Sequence, residues 1–122
     1  MKNHCLDMEI EMSAALLVSK LLDQIILILV RENEGNWVRA FRVMRNDVGN
    51  ALAGRCSEIS AIRSVSDTYR SIYRGAGSFS DFVIWRKDFD EQKKLNSELN
   101  AALDELWVVL EASASEDTSE DD

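Results

Sequence analysis

The 122-residue chain contains no proline and only five glycines. Because these two residues most often interrupt regular secondary structure, long stretches of the chain can form unbroken helices. The length predicts a single domain, and a hydrophobic content of 46% is enough for one buried core. The composition therefore favours a helical domain over a fold built from short strands and turns.

Residues with versatile chemistry are also scarce. The chain has two cysteines, Cys5 and Cys56, and a single histidine, His4. Two cysteines do not make a disulfide framework for a chain of this length. A Ser-His or Cys-His pair would have to use His4 near the N-terminus, and His4 with Cys5 supplies only two ligands of a zinc site. We therefore expect no catalytic residue, no metal site and no cofactor, and a protein that is not an enzyme.

Long hydrophobic runs are missing as well. Residues 15–30 form the most apolar stretch, but Lys20 and Asp23 interrupt it. The longest uncharged part, 24–30, is far shorter than the roughly 20 residues that span a bilayer. The N-terminal residues are charged and lack the early apolar run of a signal peptide. We therefore expect a cytoplasmic protein with reduced thiols and no membrane partner.

Charge is distributed unevenly along the chain, which has a formal net charge of −8. Residues 35–87 carry nine basic and four acidic residues, whereas 88–122 carry two basic and twelve acidic residues. An acidic protein repels nucleic-acid phosphates, so the charge argues against nucleic-acid binding and favours a basic partner. Arg39, Arg42 and Arg45 are a local exception. They fit a nucleic-acid contact or, as we prefer, an exposed ridge balanced by acids of neighbouring helices.

Apolar residues recur at three- and four-residue spacing in four segments, which predicts helices over residues 6–31, 37 to 49 or 54, 58–73 and 88–112. Gly35 is the expected left-handed end of the first helix, with Asn36 and Ser57 as N-caps of the second and third. Ile59, Trp37 and Trp107 fit the apolar stripes and are predicted to be buried.

Short links between these helices predict an all-α fold, a compact antiparallel bundle of about four main helices in one domain, 1–112. The remaining residues, 113–122, contain five acids and no large apolar side chain. We expect this segment to be a disordered acidic tail, because it has nothing to bury.

The stretch 72–85, IYRGAGSFSDFVIW, contains two of the five glycines. It lacks the Lys-Ser/Thr of a phosphate-binding loop and does not follow a predicted strand, as a dinucleotide-binding fingerprint would. We prefer a structural interpretation, in which Gly75 ends the third helix and Gly77 lets the chain turn. Ser78 then caps a short helical turn, with Asp81 at the capping-box position. The apolar side chains that follow are expected to fold back onto the core; they are Phe79, Phe82, Val83 and Trp85.

The same stretch carries a resemblance. YRGAGSFSDFVI resembles the Tyr-Gly-Gly-Met-Gly-Ser-Phe-Asn-Asp-Leu segment of a family of small helical bacterial proteins of unknown function. Asn96 in KKLNSELNAAL matches an Asn-x-x-Leu pattern of the family's following helix. The positions that match the first segment are Tyr73, Gly75, Gly77, Ser78, Phe79 and Asp81, and those that depart from it are Arg74, Ala76, Ser80 and Phe82.

This resemblance covers roughly the C-terminal half of the chain and implies no activity. Such proteins are similar to proteins encoded beside toxin genes, which favours a role as an immunity protein, as in contact-dependent growth inhibition. Our preferred hypothesis is therefore an immunity protein that binds a cognate bacterial toxin domain, such as a nuclease, and occludes its basic surface. Two alternatives remain: an acidic phage or plasmid protein that mimics nucleic acid against a host defence enzyme, and a structural adaptor that forms homodimers through the first helix.

The candidate partner-binding residues lie in the C-terminal third of the chain. Fixed carboxylates on the outer face of the fourth helix would complement a basic surface and accelerate association. Exposed aromatic side chains would add anchoring energy. The candidates are Asp90, Glu91, Glu98, Asp104 and Glu105, with Phe82 and Trp85 as aromatic anchors and the acidic tail as an accessory.

Overall fold

The structure, a computed structural model, describes residues 13–73, 79 and 82–121, with side chains described as far as Ser113. The helices are α1 (Ala14–Arg31), α2 (Gly35–Leu52), α3 (Glu58–Ile72) and α4 (Phe89–Asp121). Helix α1 contacts the other three, α2 also contacts α3, and α3 contacts α4. The described residues contain no strand, so the predicted all-α bundle is confirmed. None of these helices is long and apolar enough to cross a membrane.

One buried cluster joins all four helices. The apolar stripes predicted from the sequence face this cluster, and α1 lies at its centre. The stripe of α1, which the adaptor hypothesis assigns to a homodimer, is occupied by contacts within the chain. The most deeply buried helical side chains are Val18, Leu22, Ile25 and Leu29 of α1, Phe41, Met44 and Val48 of α2, Val65 of α3, and Leu99, Leu106 and Leu110 of α4.

Aromatic rings fill the part of the core between α2 and α3. Phe41 is completely buried, and its ring centroid lies 6.5 Å from that of Tyr69 and 5.2 Å from that of Phe79. Phe79 in turn contacts Trp37 edge-on at 5.1 Å. The predicted return of Phe79 to the core is therefore confirmed. Trp37 and Trp107 pack against the core but are only partly buried.

Helix α1 begins with an N-cap. The Ser13 hydroxyl accepts a hydrogen bond from the Leu16 amide at 3.1 Å, which makes Ala14 the first residue of α1. The earlier part of the predicted first helix, 6–12, lies outside the described residues. The Glu58 carboxylate accepts a second hydrogen bond, from the Ala15 amide at 2.8 Å. These two acceptors satisfy amides that an α-helix leaves without a partner at its start.

The link between α1 and α2 also differs from the prediction. Asn33, not Gly35, takes the left-handed conformation, with φ 60°. The Asn33 amide donates to the Val30 carbonyl and the Glu34 amide to the Leu29 carbonyl, both at 3.0 Å, which is the Schellman pattern. Asparagine tolerates this conformation better than most residues, so the chain turns before Gly35. Gly35 is consequently the first residue of α2, and Asn36 lies inside that helix instead of capping it.

The second link follows the sequence closely. Gly54 has φ 79°, and its amide donates to the Ala51 carbonyl, so this glycine ends α2 at the later of the two predicted positions, 49 and 54. Ser57 caps α3 by accepting from the Ser60 amide at 3.1 Å, as predicted. Ile59, however, is 40% exposed. The first turn of α3 meets the start of α1 through Glu58, which leaves Ile59 outside the core.

Helix α4 is longer than predicted. The Asp88 carboxylate accepts from the Asp90 amide at 3.0 Å at its start, close to the predicted boundary. The backbone then remains helical to Asp121, through most of the segment expected to be disordered. That segment contains no proline, and extending an existing helix avoids the cost of starting a new one, so the segment can continue α4 although it has little to bury. Its expected independence from the core stays a prediction.

Candidate functional site

The segment 82–87 precedes α4 and has no helical structure. Side chains of α4 hold it in place. The Asn96 side chain accepts from the Ile84 amide and donates to the Ile84 carbonyl, both at 2.9 Å. Its amide group also donates to the Gln92 carbonyl at 2.9 Å, and the Gln92 side chain accepts from the Arg86 amide at 2.9 Å. Asn96 therefore binds Ile84 much as a neighbouring β-strand would.

An ion-pair network fixes the end of the same segment. The Arg86 guanidinium binds both Glu32 carboxylate oxygens, at 2.9 and 2.6 Å, and its Nε lies 3.3 Å from Glu91. Arg31 adds a further contact to Glu32 at 3.2 Å. The hydrogen bond from Arg86 holds the pKa of the Glu32 carboxyl below its ordinary value. The network thereby ties the end of α1 to the start of α4.

This pKa shift predicts a specific pH dependence. Because the pKa of Glu32 is lower in the folded protein than in the unfolded chain, its contribution is complete above the ordinary pKa of 4.5 and is lost as the pH falls through the folded value. We expect Glu32→Gln to lower the melting temperature at pH 7 and to flatten its decrease below about pH 4.5. Thermal melts between pH 7 and pH 3 measure both effects.

The matched control for this prediction is Glu98→Gln, which removes an exposed carboxylate of α4. It should leave the melting temperature at neutral pH almost unchanged. Equal acid sensitivity of wild type and Glu32→Gln would show that the Arg86–Glu32 contact contributes nothing to stability.

Clamping of this segment decides which of its side chains are exposed. Successive residues of an extended chain point to opposite sides. Ile84 is buried, whereas Val83 is 47% and Trp85 is 75% exposed. The prediction that Val83 and Trp85 fold back onto the core is therefore wrong. Phe82 is half-buried and stacks on Phe79 at 5.6 Å, so Trp85 is the more exposed of the two predicted anchors.

The five predicted acids of α4 are all exposed, and they are spread across the outer side of the helix, away from the core. Glu91, Glu98 and Glu105 are spaced seven residues apart, which places them two turns, or about 10 Å, from one another along one side of the helix. We call these three residues the acidic ridge. Asp104 lies on the opposite flank, next to α3, and Asp90 points away from the core between the two.

The flank of α4 that carries Asp104 forms one wall of a groove with α3. A cavity of about 370 Å³ is lined by Tyr69, Arg70, Tyr73, Asp104 and Trp107, which we call the aromatic groove. Tyr69 stacks on Trp107 at 5.5 Å, and the Arg70 guanidinium lies 5.6 Å from the centroid of the Trp107 ring. A second cavity of about 250 Å³ shares Tyr69, Tyr73 and Asp104 with the first.

Hydrogen bonds fix the two tyrosines of the aromatic groove. The Tyr69 hydroxyl donates to the Leu103 carbonyl at 3.3 Å and lies 3.3 Å from the Tyr73 hydroxyl. Since Tyr69 has only one proton to donate, Tyr73 is the donor in the bond between the two hydroxyls. Burial raises the pKa of both phenols, and the charge of Asp104 adds to the shift, so both remain protonated at neutral pH.

The other candidate positions are the arginines of α2 and Cys56. Arg45 pairs with Asp23 of α1 at 2.8 Å, as expected for a ridge balanced by neighbouring acids. Arg39 and Arg42 line an open cavity of about 420 Å³ beside the link between α1 and α2. Cys56 is exposed and free, and the described residues contain no cluster of three side chains suited to a metal ion.

Sequence reasoning missed the aromatic groove and the role of Asn96 as a clamp. Two signals were present: Tyr69 and Tyr73 lie four residues apart on α3, and Asn96 interrupts the apolar spacing of α4. The predicted structural turn, Gly75, Gly77, Ser78 and Asp81, lies outside the described residues, so its interpretation stays a prediction.

Comparison of the chain with known protein families, characterised proteins and solved structures finds no match. Function must therefore be inferred from the surfaces described above.

Proposed function

We propose that this chain is an immunity protein, which binds a basic bacterial toxin domain and occludes its active surface. The observation that carries the proposal is the exposure of the carboxylates along α4. They lie in the part of the chain, 88–122, that contains twelve acidic and only two basic residues. Nuclease surfaces that hold phosphates are basic, and a helix that displays fixed carboxylates is complementary to such a surface.

An exposed aromatic group lies close to these charges. Arg86, the residue after Trp85, contacts Glu91 at the start of the acidic ridge. Phe89, in the first turn of α4, is also strongly exposed, at 70%. Interfaces gain most of their energy from a few aromatic or arginine anchors surrounded by polar residues. The ridge would steer a basic partner, and Trp85 would then supply apolar contact area.

Reversal of the ridge charges tests this proposal. Glu98→Lys/Glu105→Lys should slow association with the toxin domain by about tenfold or more at low salt, because steering depends on exposed charge. The fold should not change, since both side chains are exposed. The partner is first identified by co-expressing the chain with a panel of toxin nuclease domains and scoring survival, and association is then measured at several salt concentrations.

The matched control is Asp23→Lys/Asp67→Lys, which changes the net charge equally at exposed positions of α1 and α3. It should retain most of the wild-type association rate, because those acids lie away from the ridge. Protection against none of the toxins would refute the immunity role. Equal loss in both double variants would show that net charge alone drives binding and that the ridge has no special part.

A further inference from the structure

We propose that the aromatic groove, lined by Tyr69, Arg70, Tyr73, Asp104 and Trp107, is an anchor site for an arginine side chain of the protein partner. The inference rests on the proposed function, since it names the chemical group that a basic partner would insert. The groove is separate from the acidic ridge, because Asp104 and the ridge glutamates lie on opposite flanks of α4.

Three of the five residues that line the groove present oxygen atoms, whereas Arg70 and Trp107 carry N–H donors. The Tyr73 hydroxyl uses its proton to bond Tyr69, which leaves lone pairs on its oxygen. The Asp104 carboxylate is exposed and has no ion-pair partner among the residues that the structure describes. Lysine and arginine carry only donors, so they complement such a site, whereas a phosphate or carboxylate would meet oxygens of the same character.

A guanidinium already lies against one wall of the groove. Arg70 covers the Trp107 ring at 5.6 Å and pairs with Glu111 at 3.6 Å. The local geometry is thus compatible with a flat cation beside an aromatic face, which favours arginine over the compact ammonium of lysine. Because Glu111 balances the charge of Arg70, the carboxylate of Asp104 remains available to a second cation.

The space is suited to one side chain. A cavity of about 370 Å³ is at the lower end of the range for small-ligand sites. The adjoining cavity of about 250 Å³ extends the groove towards Phe79 and Phe82, where the apolar stem of an inserted arginine could be covered. The groove therefore offers acceptors for the head of an arginine side chain and apolar surface for its stem.

The test uses a capped Gly-Arg-Gly tripeptide with the full-length protein, and a Gly-citrulline-Gly tripeptide as its uncharged equivalent. Nitrogen-15 spectra follow the indole N–H signals of the three tryptophans, assigned by Trp→Phe variants. We expect the arginine peptide to shift the Trp107 signal, with saturation at peptide concentrations of about 10 mM, since one side chain gives millimolar affinity at best. The citrulline peptide should leave this signal unchanged.

Three variants make the test specific. Asp104→Asn should weaken binding of the arginine peptide about tenfold by removing one charge-assisted contact. Arg70→Ala should strengthen binding, because it uncovers the Trp107 ring and removes a competing cation. Asp67→Asn, which neutralises an exposed acid of α3 outside the groove, should bind like wild type.

Three results would overturn the inference: no shift of the Trp107 signal, equal binding of the citrulline peptide, or undiminished binding after Asp104→Asn. These results leave the proposed function untouched, because that is judged by toxin protection and by the ridge variants. Conversely, binding of the arginine peptide without protection from any toxin would retain the groove site and refute the immunity role.

Discussion

Phe41→Ala is expected to lower the free energy of unfolding by about 3–5 kcal/mol, the largest effect of any single change considered for this protein. The Phe41 ring is completely buried and contacts the rings of Tyr69 and Phe79. Its loss would leave a cavity between α2, α3 and the ring of Phe79. Since domains of this size are stable by only about 5–15 kcal/mol, the variant should unfold at a much lower urea concentration.

The control for this prediction lies on the same helix. Val43 is 49% exposed, and Val43→Ala should change the stability by less than about 0.5 kcal/mol. Urea unfolding followed by circular dichroism gives both values. Similar midpoints for the two variants would contradict the packing of α2, because they would show that Phe41 is no more buried than Val43.

Asn96→Ala is expected to cost about 2–4 kcal/mol, because it removes three hydrogen bonds and leaves the amide and carbonyl of Ile84 without their partner. Ile84 is buried, so water cannot fully replace the lost contacts. The segment 82–87 should then become more mobile, including the exposed Trp85 next to Ile84. We expect faster hydrogen exchange of the Ile84 and Arg86 amides together with the lower stability.

Two further variants separate the clamp from a general effect of mutating α4. Asn96→Asp can still accept from the Ile84 amide but presents a carboxylate to two carbonyl oxygens, so it should be no more stable than Asn96→Ala. Asn100→Ala changes the same residue type one turn later at an exposed position and should cost less than about 0.5 kcal/mol. If all three variants unfolded at the wild-type midpoint, Asn96 would not hold the segment.

The location of the core was largely predictable, because helical periodicity is a local property of the sequence. Three- and four-residue spacing placed Ile25, Phe41 and Leu99 on inward faces, and all three are buried. The N-cap at Ser57 was predictable for the same reason, since a serine acts on an amide three residues along the chain. The position of Gly54 at the end of α2 also depends only on the residues next to it.

The C-terminal end of α1 was less predictable. Asn33 and Gly35 are both acceptable in a left-handed conformation, and propensity alone favours the glycine. Asn33 takes this conformation, and the neighbouring Glu32 carboxylate binds Arg86, a residue 54 positions further along the chain. Sequence spacing could not separate the two local solutions, nor could it predict this distant contact.

The candidate binding surfaces depended even more on the tertiary structure. The sequence indicated that acids and aromatic residues are concentrated in the C-terminal third, but it could not distinguish an exposed Trp85 from a buried one. That outcome was decided by Asn96, which binds Ile84 and so turns the alternate side chain outward. Likewise, the aromatic groove exists because α3 brings Tyr69 and Tyr73 against α4. Tyr69 donates to the carbonyl of Leu103, which lies 34 residues further along the chain. Composition and periodicity determined a helical, acidic protein, whereas contacts between distant residues decided which of its side chains a partner can reach.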